Sequence, residues 1–261
     1  LTQQDRMRLA MLSDIHGNPI ALDAVLRDID SQGGADEYWI LGDHANQGYD
    51  PVGVMQRLDR LPTKRCVSGN TDRYLVDGSR RGPSVERVLA NPDLMNRVVS
   101  AEQGTGWARG ALTATGWYDW FRRLPFEQRK TLPDSARLLG VHASLKSDEW
   151  VPIETTTAEE VAEHFPDLNA DVVFSGHAHL ESDHTFFGTR FITLGSVANS
   201  MNDDPSAKYA ILEADNSGHR VIRRHVAFDY DRVVEAIKAA FHPSEPWLLK
   251  FYQRANLDPA S

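Results

Sequence analysis

The sequence predicts an α/β protein: two packed, mixed β-sheets flanked by helices, a four-layer αββα sandwich, with a helical insertion over 73–133. Three observations predict it. Apolar runs at 8–13, 38–41 and 64–67 alternate with helix-like runs, the rhythm of βαβ units and a parallel sheet. A second series of strand-like runs begins near 136, and its last connection carries a hairpin signal. Between the two, residues 73–133 lack a strong strand signal and carry Trp107, Trp117, Tyr118, Trp120 and Phe121 among basic residues.

Arg8 to Ser13 is the first strand. Asn18 as N-cap and Pro19 at the first helical position open a helix, and Ile20, Ala24, Val25 and Ile29 form its apolar stripe up to Gly33-Gly34. Tyr38 to Leu41 is a short buried strand, and Asp50-Pro51 starts a helix with Val52, Met55 and Leu58 on one face. Lys64 to Val67 is the third strand. Within the insertion, Gly78, Gly82-Pro83 and Gly104-Thr105-Gly106 are expected joints, and its aromatics are expected to form its own packing surface. Such a segment, set between two turns that carry site residues, is also placed to act as a lid or cap. Ala136 to Val141 is a strand, Thr157 and Glu160 form a capping box for a helix to about His164, and Asp171 to Phe174 is another strand. Strands follow at 184–187, 191–194, 209–213 and 221–228, with a hairpin signal at Asn216-Ser217-Gly218, and an amphipathic helix starts near Tyr230.

The chain has 261 residues, 41% hydrophobic and 25% charged, which is ordinary for a globular protein and allows one α/β domain or two smaller ones. No apolar stretch approaches the roughly 20 residues that span a bilayer. No signal peptide is expected, and Leu1 in place of Met points to trimmed or omitted residues. The lone Cys66 excludes a disulfide framework and favours a cytoplasmic location. A net charge of −9 argues against a general nucleic-acid binder, yet allows a small phosphorylated substrate where bound cations reverse the local sign.

Five segments share one grammar, an apolar strand followed by a small residue and a polar ligand type. They are Asp14-x-His16, Gly42-Asp43, Gly69-Asn70, His142 and Gly176-His177-x-His179. Residues two apart in a strand point to one side, and sites in α/β sheets gather beyond the carboxyl ends of strands. Two Asp, one Asn and four His are too many ligands for one tetrahedral ion. They suit two adjacent ions that share a carboxylate. Mixed nitrogen and oxygen donors without thiolate favour Mn, Fe, Zn, Ni or Co over Mg or Ca.

In this order these segments, with Asp72 completing Gly-Asn-x-Asp, resemble the calcineurin-like metallophosphoesterase superfamily. Ser-Asp-Ile-His-Gly-Asn-Pro from Ser13, the Gly-Asp…Gly-x-Asp-Pro of 42–51, and Leu-Gly-Ser-Val-Ala of 194–198 are similar to its small bacterial and archaeal phosphodiesterase branch, which is related to diadenosine-tetraphosphate hydrolases. The resemblance implies a single domain over 1–261. It implies Asp14, His16 and His179 on one metal, Asn70, His142 and His177 on the other, and Asp43 as the bridge. It further implies hydrolysis of a phosphodiester or phosphoanhydride, with a bound water or hydroxide as nucleophile. The substrate would be small and phosphorylated, with nucleotides in scope and no membrane partner.

One position departs. The family's third motif usually has His before the acidic residue, thought to protonate the leaving oxygen, and here Thr71 stands there. Three readings compete: leaving groups that need little protonation; another acid, with His44 first and Asp72 next; or a non-catalytic metal-binding scaffold. A phosphoprotein phosphatase with the same metals is a further alternative.

Overall fold

A computed structural model describes residues 6–253 apart from 80–82, 84 and 202, so the expectations at Leu1 and Gly82 lie outside the described residues. The first half runs β1 (Arg6–Leu12), α1 (Pro19–Ser31), β2 (Glu37–Leu41), α2 (Pro51–Asp59) and β3 (Lys64–Val67). Helices α3 (Asn70–Asp77), α4 (Val85–Ala90), α5 (Asp93–Ala114) and α6 (Tyr118–Phe121) follow. The second half holds β4 (Glu127–Thr131), β5 (Arg137–Val141), α7 (Ala158–His164), β6 (Val172–Ser175), β7 (Glu181–Phe186) and β8 (Thr189–Leu194). It closes with β9 (Ala207–Asp215), β10 (Gly218–Val226), α8 (Tyr230–Ala239) and α9 (Glu245–Gln253).

The strands form two five-stranded sheets, ordered β10-β9-β1-β2-β3 and β4-β5-β6-β8-β7. In the first, β1, β2 and β3 are parallel, while β9 joins β1 antiparallel with Ala10 opposite Ile211. In the second, β5, β6 and β8 are parallel and the edges β4 and β7 are antiparallel. Strand alternation sorts the side chains of β1. Leu9 and Met11 meet Trp39, Leu138, Phe174, Ile192 and Leu212 between the sheets, while Ala10 and Leu12 meet Leu22, Val25 and Met55 under the helices. A strand buried on both faces shows as a continuous apolar run, which is why β1, β2 and β6 stand out in the sequence. The sheets approach closely at Gly140, where a Cβ would lie 2.9 Å from the Trp39 ring.

The structure departs from the expected elements in three places. Glu127–Thr131 is a strand inside the stretch expected to be helical; it is a polar edge strand, and edges are kept polar to discourage further pairing. Gly104-Thr105-Gly106 is no joint, because α5 runs through it. A Cβ at Gly104 would come within 2.9 Å of the Ser244 hydroxyl, so glycine serves close packing there rather than a turn. Helix α9 was not expected at all. Trp107, Trp117 and Trp120 pack against the core, with Phe121 inside it. No helix of the described residues is long and apolar enough to cross a membrane.

Candidate metal centre

The strand-end segments converge at the carboxyl ends of β1, β2, β3, β5 and β6. The turns that carry them have a shared backbone feature. Asp14, His16, Asp43, His177 and His179 all sit at positive φ, between 43° and 65°. This left-handed region costs a residue with a Cβ and is found where the surroundings over-determine it, often at functional sites. Here backbone bonds hold the turns. Ile15 and His16 N–H both donate to the Asp43 carbonyl at 3.0 Å, Gly176 N–H donates to His142 O at 2.8 Å, and His177 N–H donates to Asp14 Oδ2 at 3.0 Å.

The donor atoms face inward. His179 Nε2 lies 3.2 Å from Asp14 Oδ1 and 3.1 Å from His16 Nε2. Asp43 Oδ2 stands 3.6 Å from both His16 Nε2 and His142 Nε2, between the two groups. Asn70 Oδ1 lies 2.9 Å from His142 Nε2 and 3.0 Å from His177 Nδ1. Asp14, His16 and His179 form one cluster within ligand reach of a common ion, and Asp14, Asp43 and His142 form a second.

The tautomers decide what this arrangement accommodates. His16 Nδ1 donates to Asn46 O at 3.0 Å, His142 Nδ1 to Leu41 O at 2.7 Å, and His179 Nδ1 to Asn199 O at 3.1 Å. A carbonyl only accepts, so each of these nitrogens bears its ring's proton. In the neutral rings each Nε2 is then a bare lone pair. His16 and His179 point such lone pairs at each other, and His142 points one at the Asn70 oxygen. Asp14 Oδ1, buried beside them, has no hydrogen-bond partner. Acceptors facing acceptors around an orphaned carboxylate oxygen fit a bound cation, and carbonyl-oriented imidazoles are the usual support for one.

The charge environment agrees. Burial would raise the Asp14 carboxyl, but His179, His142 and His16 around it hold it well below the usual carboxylate range. Burial lowers His142 and His179, yet Asp43 and Asp14 for the former, and chiefly Asp14 for the latter, carry them above their ordinary value. Burial, the largest influence, and the neighbouring His179 keep His16 below its own. The pocket's anions thus attract positive charge at its centre.

The three catalytic candidates lie behind this cluster, in contact with Asp43 or its turn. Asp72 is fully buried and accepts from the Asp43, His44 and Gly69 N–H groups at 2.9, 3.1 and 2.9 Å and from His44 Nδ1 at 2.8 Å. His44 is equally enclosed, its ring edge-on to Trp120 with centroids 5.1 Å apart. Burial would lower the imidazole, but Asp72 pushes it up to about 10. A proton donor must reach the leaving oxygen. The His44 ring is enclosed between Asp72, Trp120 and Phe121 in this structure. With Asp72 it buckles the β2 and β3 turns together. Thr71 is 2% exposed, and its hydroxyl is buried without a partner.

Arg73, which follows the third motif, pairs with Asp148 at 2.6 Å and Glu149 at 3.0 Å. His164 stacks on Trp150, His219 pairs with Asp134, and His225 with Glu181, all apart from the candidate ligands. Two supporting residues escaped sequence reading. Tyr74 hydroxyl accepts from Asn70 Nδ2 at 3.2 Å; its only signal is the i, i+4 spacing on one helix. Asn46 carbonyl orients His16 while its Nδ2 donates to Thr71 O at 3.1 Å, and no sequence signal marks it.

Comparison with known proteins bears on this geometry. A model of the calcineurin-like phosphoesterase superfamily domain matches residues 7–217. The symmetrical bis(5'-nucleosyl)-tetraphosphatase of Paracidovorax citrulli (strain AAC00-1) is 29% identical over 167 residues, 63% of this chain and 51% of that protein. The chain therefore spans about half the length of that curated relative. Among solved structures, a hypothetical protein from Pyrococcus horikoshii OT3 matches with a TM-score of 0.75 at 17% identity, covering 94% of this chain and 97% of its own. A metallophosphoesterase from Sphaerobacter thermophilus matches with a TM-score of 0.69 at 24% identity, covering 95% and 99%. At these identities the two structures speak to the fold.

Proposed function

The chain belongs to the calcineurin-like phosphoesterase superfamily, and from that premise we propose that it hydrolyses a phosphodiester or phosphoanhydride in a small, nucleotide-like substrate with two transition-metal ions. Metal-dependent phosphoric ester hydrolysis is the activity of the family. The observation that carries the finer reading is the convergence of His16 Nε2, His179 Nε2 and the otherwise unpartnered Asp14 Oδ1 beside Asp43. On this reading Asp14, His16 and His179 would hold one ion, Asn70, His142 and His177 would hold the other, and Asp43 would serve both. Mixed imidazole, carboxylate and amide donors suit Mn, Fe, Zn, Ni or Co. Ions held there supply Lewis-acid polarisation of the phosphoryl oxygens and an acidified water.

The chain's own residues supply position and selectivity. The Asn46, Leu41 and Asn199 carbonyls fix three imidazoles in the tautomer that leaves Nε2 free. Asp72 and His44 hold the Asp43 and Asn70 turns in register. Thr71 has no acidic proton to give, and His44 is enclosed. The leaving group must therefore depart without help from an acid at this position. A phosphate leaving from a phosphoanhydride, or an aryl oxide, does so readily. The similarity to a protein named as a bis(5'-nucleosyl)-tetraphosphatase supports the same substrate class. A buried free Cys66 accords with a reducing, cytoplasmic setting. Residues 73–133 are read as an insertion within one catalytic domain.

The test is turnover across a substrate panel with added Mn: bis(p-nitrophenyl) phosphate, dinucleoside polyphosphates and simple alkyl phosphate esters. Activity on the first two that exceeds the third supports the reading. A metal-loaded protein inert toward all three contradicts it.

A further inference from the structure

Helices α5 and α9 border a groove of about 720 Å³ whose inner lip is Met201. Met201 N–H donates to the carbonyl of His179 at 3.0 Å, which ties the Met201 side of the groove to the segment that carries a proposed metal ligand. Its α9 wall carries Trp247 and Phe251, edge-on with ring centroids 4.6 Å apart, and the exposed ammonium of Lys250. Its α5 wall carries Asn96 and the exposed guanidinium of Arg97, with Asp93 at the outer end. Among the described residues neither Arg97 nor Lys250 forms an ion pair, which leaves both cations open to an anion in a chain whose net charge is −9. The same helix α5 reaches the metal pocket. Thr105 Oγ1 receives Asn46 Nδ2 at 3.3 Å, and the Asn46 carbonyl orients His16. Arg97 and Thr105 are about two turns, or about 12 Å, apart along α5.

We propose that this groove is a nucleoside-phosphate subsite of the metal centre, with the base against Trp247 and Phe251 and the outer phosphate between Arg97 and Lys250. The inference deepens the phosphoesterase reading and rests on it for the reacting phosphate alone. Aromatic faces accept any base, so stacking gives affinity with little sequence preference. Guanidinium and ammonium supply the anion's countercharge, the guanidinium in a planar fork matched to phosphate. Met201 offers an adaptable apolar lip toward the sugar. A bare phosphate ester would engage the metals without filling the groove.

Two arms test this. In the first, binding of ADP is measured calorimetrically on metal-free wild type and on Arg97→Ala/Lys250→Ala, with ribose 5-phosphate as the probe that lacks a base. The expected result is ADP binding at least tenfold tighter than ribose 5-phosphate, and at least tenfold weaker ADP binding in the double variant. Both substitutions are at exposed positions, so the fold is retained. In the second, KM for a dinucleoside polyphosphate rises tenfold or more in the double variant and in Trp247→Ala, while turnover of bis(p-nitrophenyl) phosphate is unchanged. Equal ADP affinity in wild type and double variant, or equal losses on both substrates, overturns the inference. If wild type turns over neither substrate, the catalytic reading fails and the binding arm alone decides the groove.

Discussion

Tyr74 fixes the amide of Asn70. Its hydroxyl accepts from Asn70 Nδ2 at 3.2 Å and donates to Glu149 Oε1 at 2.6 Å, which leaves Asn70 Oδ1 facing His142 and His177. Flipped, the amide would turn N–H donors toward the place where a cation would take an oxygen. Asn70 comes from the first sheet's β3 turn and His142 from the second sheet's β5, so this contact also ties the two sheets' contributions together. Tyr74→Phe is therefore expected to weaken the second equivalent of metal by about 10- to 100-fold and leave the first unchanged. Calorimetric titration of metal-free protein with Mn reads both; two unaltered equivalents would sink the assignment.

Breaking the His44–Asp72 pair costs stability. Both groups are fully buried at 2.8 Å, and removing one partner of such a pair costs about 3–5 kcal/mol. Asp72→Asn should lose that much in chemical denaturation. The pH dependence has a definite sign. His44 is raised from 6.5 to about 10 in the fold, so its contribution is whole below pH 6.5 and is lost as pH rises toward 10. Asp72 is lowered, so its contribution is present above its ordinary 3.8 and is lost on acidification below that. In Asp72→Asn the alkaline loss should flatten; a variant as alkali-sensitive as wild type contradicts the pairing.

His242 makes the opposite prediction. It is 4% exposed, its Nδ1 accepts from Ser244 N–H at 3.0 Å, and its Nε2 is buried without a partner, edge-on to Trp107. Burial pushes the imidazole down from 6.5 to about 4. The unfolded chain binds the proton more readily, so this stability is whole above pH 6.5 and is lost as pH falls toward 4. The loss is up to about 3 kcal/mol. His242→Asn keeps an acceptor near Nδ1 and removes the titration. Its denaturation midpoint should change less than that of wild type between pH 7 and pH 4.5; parallel curves would refute the assignment.

At Gly42 the turn tolerates no side chain. Its φ is +87°, and a Cβ would stand 2.5 Å from His142 Nδ1 and 2.7 Å from Gly69 Cα. Gly42→Ala should displace His142 and reduce bound metal, measured by elemental analysis of purified protein. Retention of the full wild-type metal content would show that the two turns have slack that the structure denies.

Much of this was legible in the sequence because it is local. Strands buried on both faces show as apolar runs, the Thr157–Glu160 box and the 216–218 hairpin carry their own turn chemistry, and the ligand types stand directly after the strands. The positive φ of Asp14, His16 and Asp43 was not legible, since only glycine advertises that conformation. Nor was β4, whose Glu-Gln-Arg-Lys-Thr sequence pairs through backbone alone at a sheet edge. The continuity of α5 through Gly104 depends on Ser244, and the enclosure of His44 on Trp120 and Phe121, both distant in the chain. Adjacency to Asp43 marks His44 as a candidate in the sequence, but nothing local shows that the β2 turn sets its ring against Trp120 and Phe121.

The account rests on two metal ions at the strand ends. The most direct measurement is the initial rate of bis(p-nitrophenyl) phosphate hydrolysis as metal-free protein is titrated with Mn, with bound metal determined at each point. The expected result is a rate that climbs until two equivalents are bound and then stays level. A rate that saturates at one equivalent, or a protein carrying two equivalents with no turnover, would contradict it.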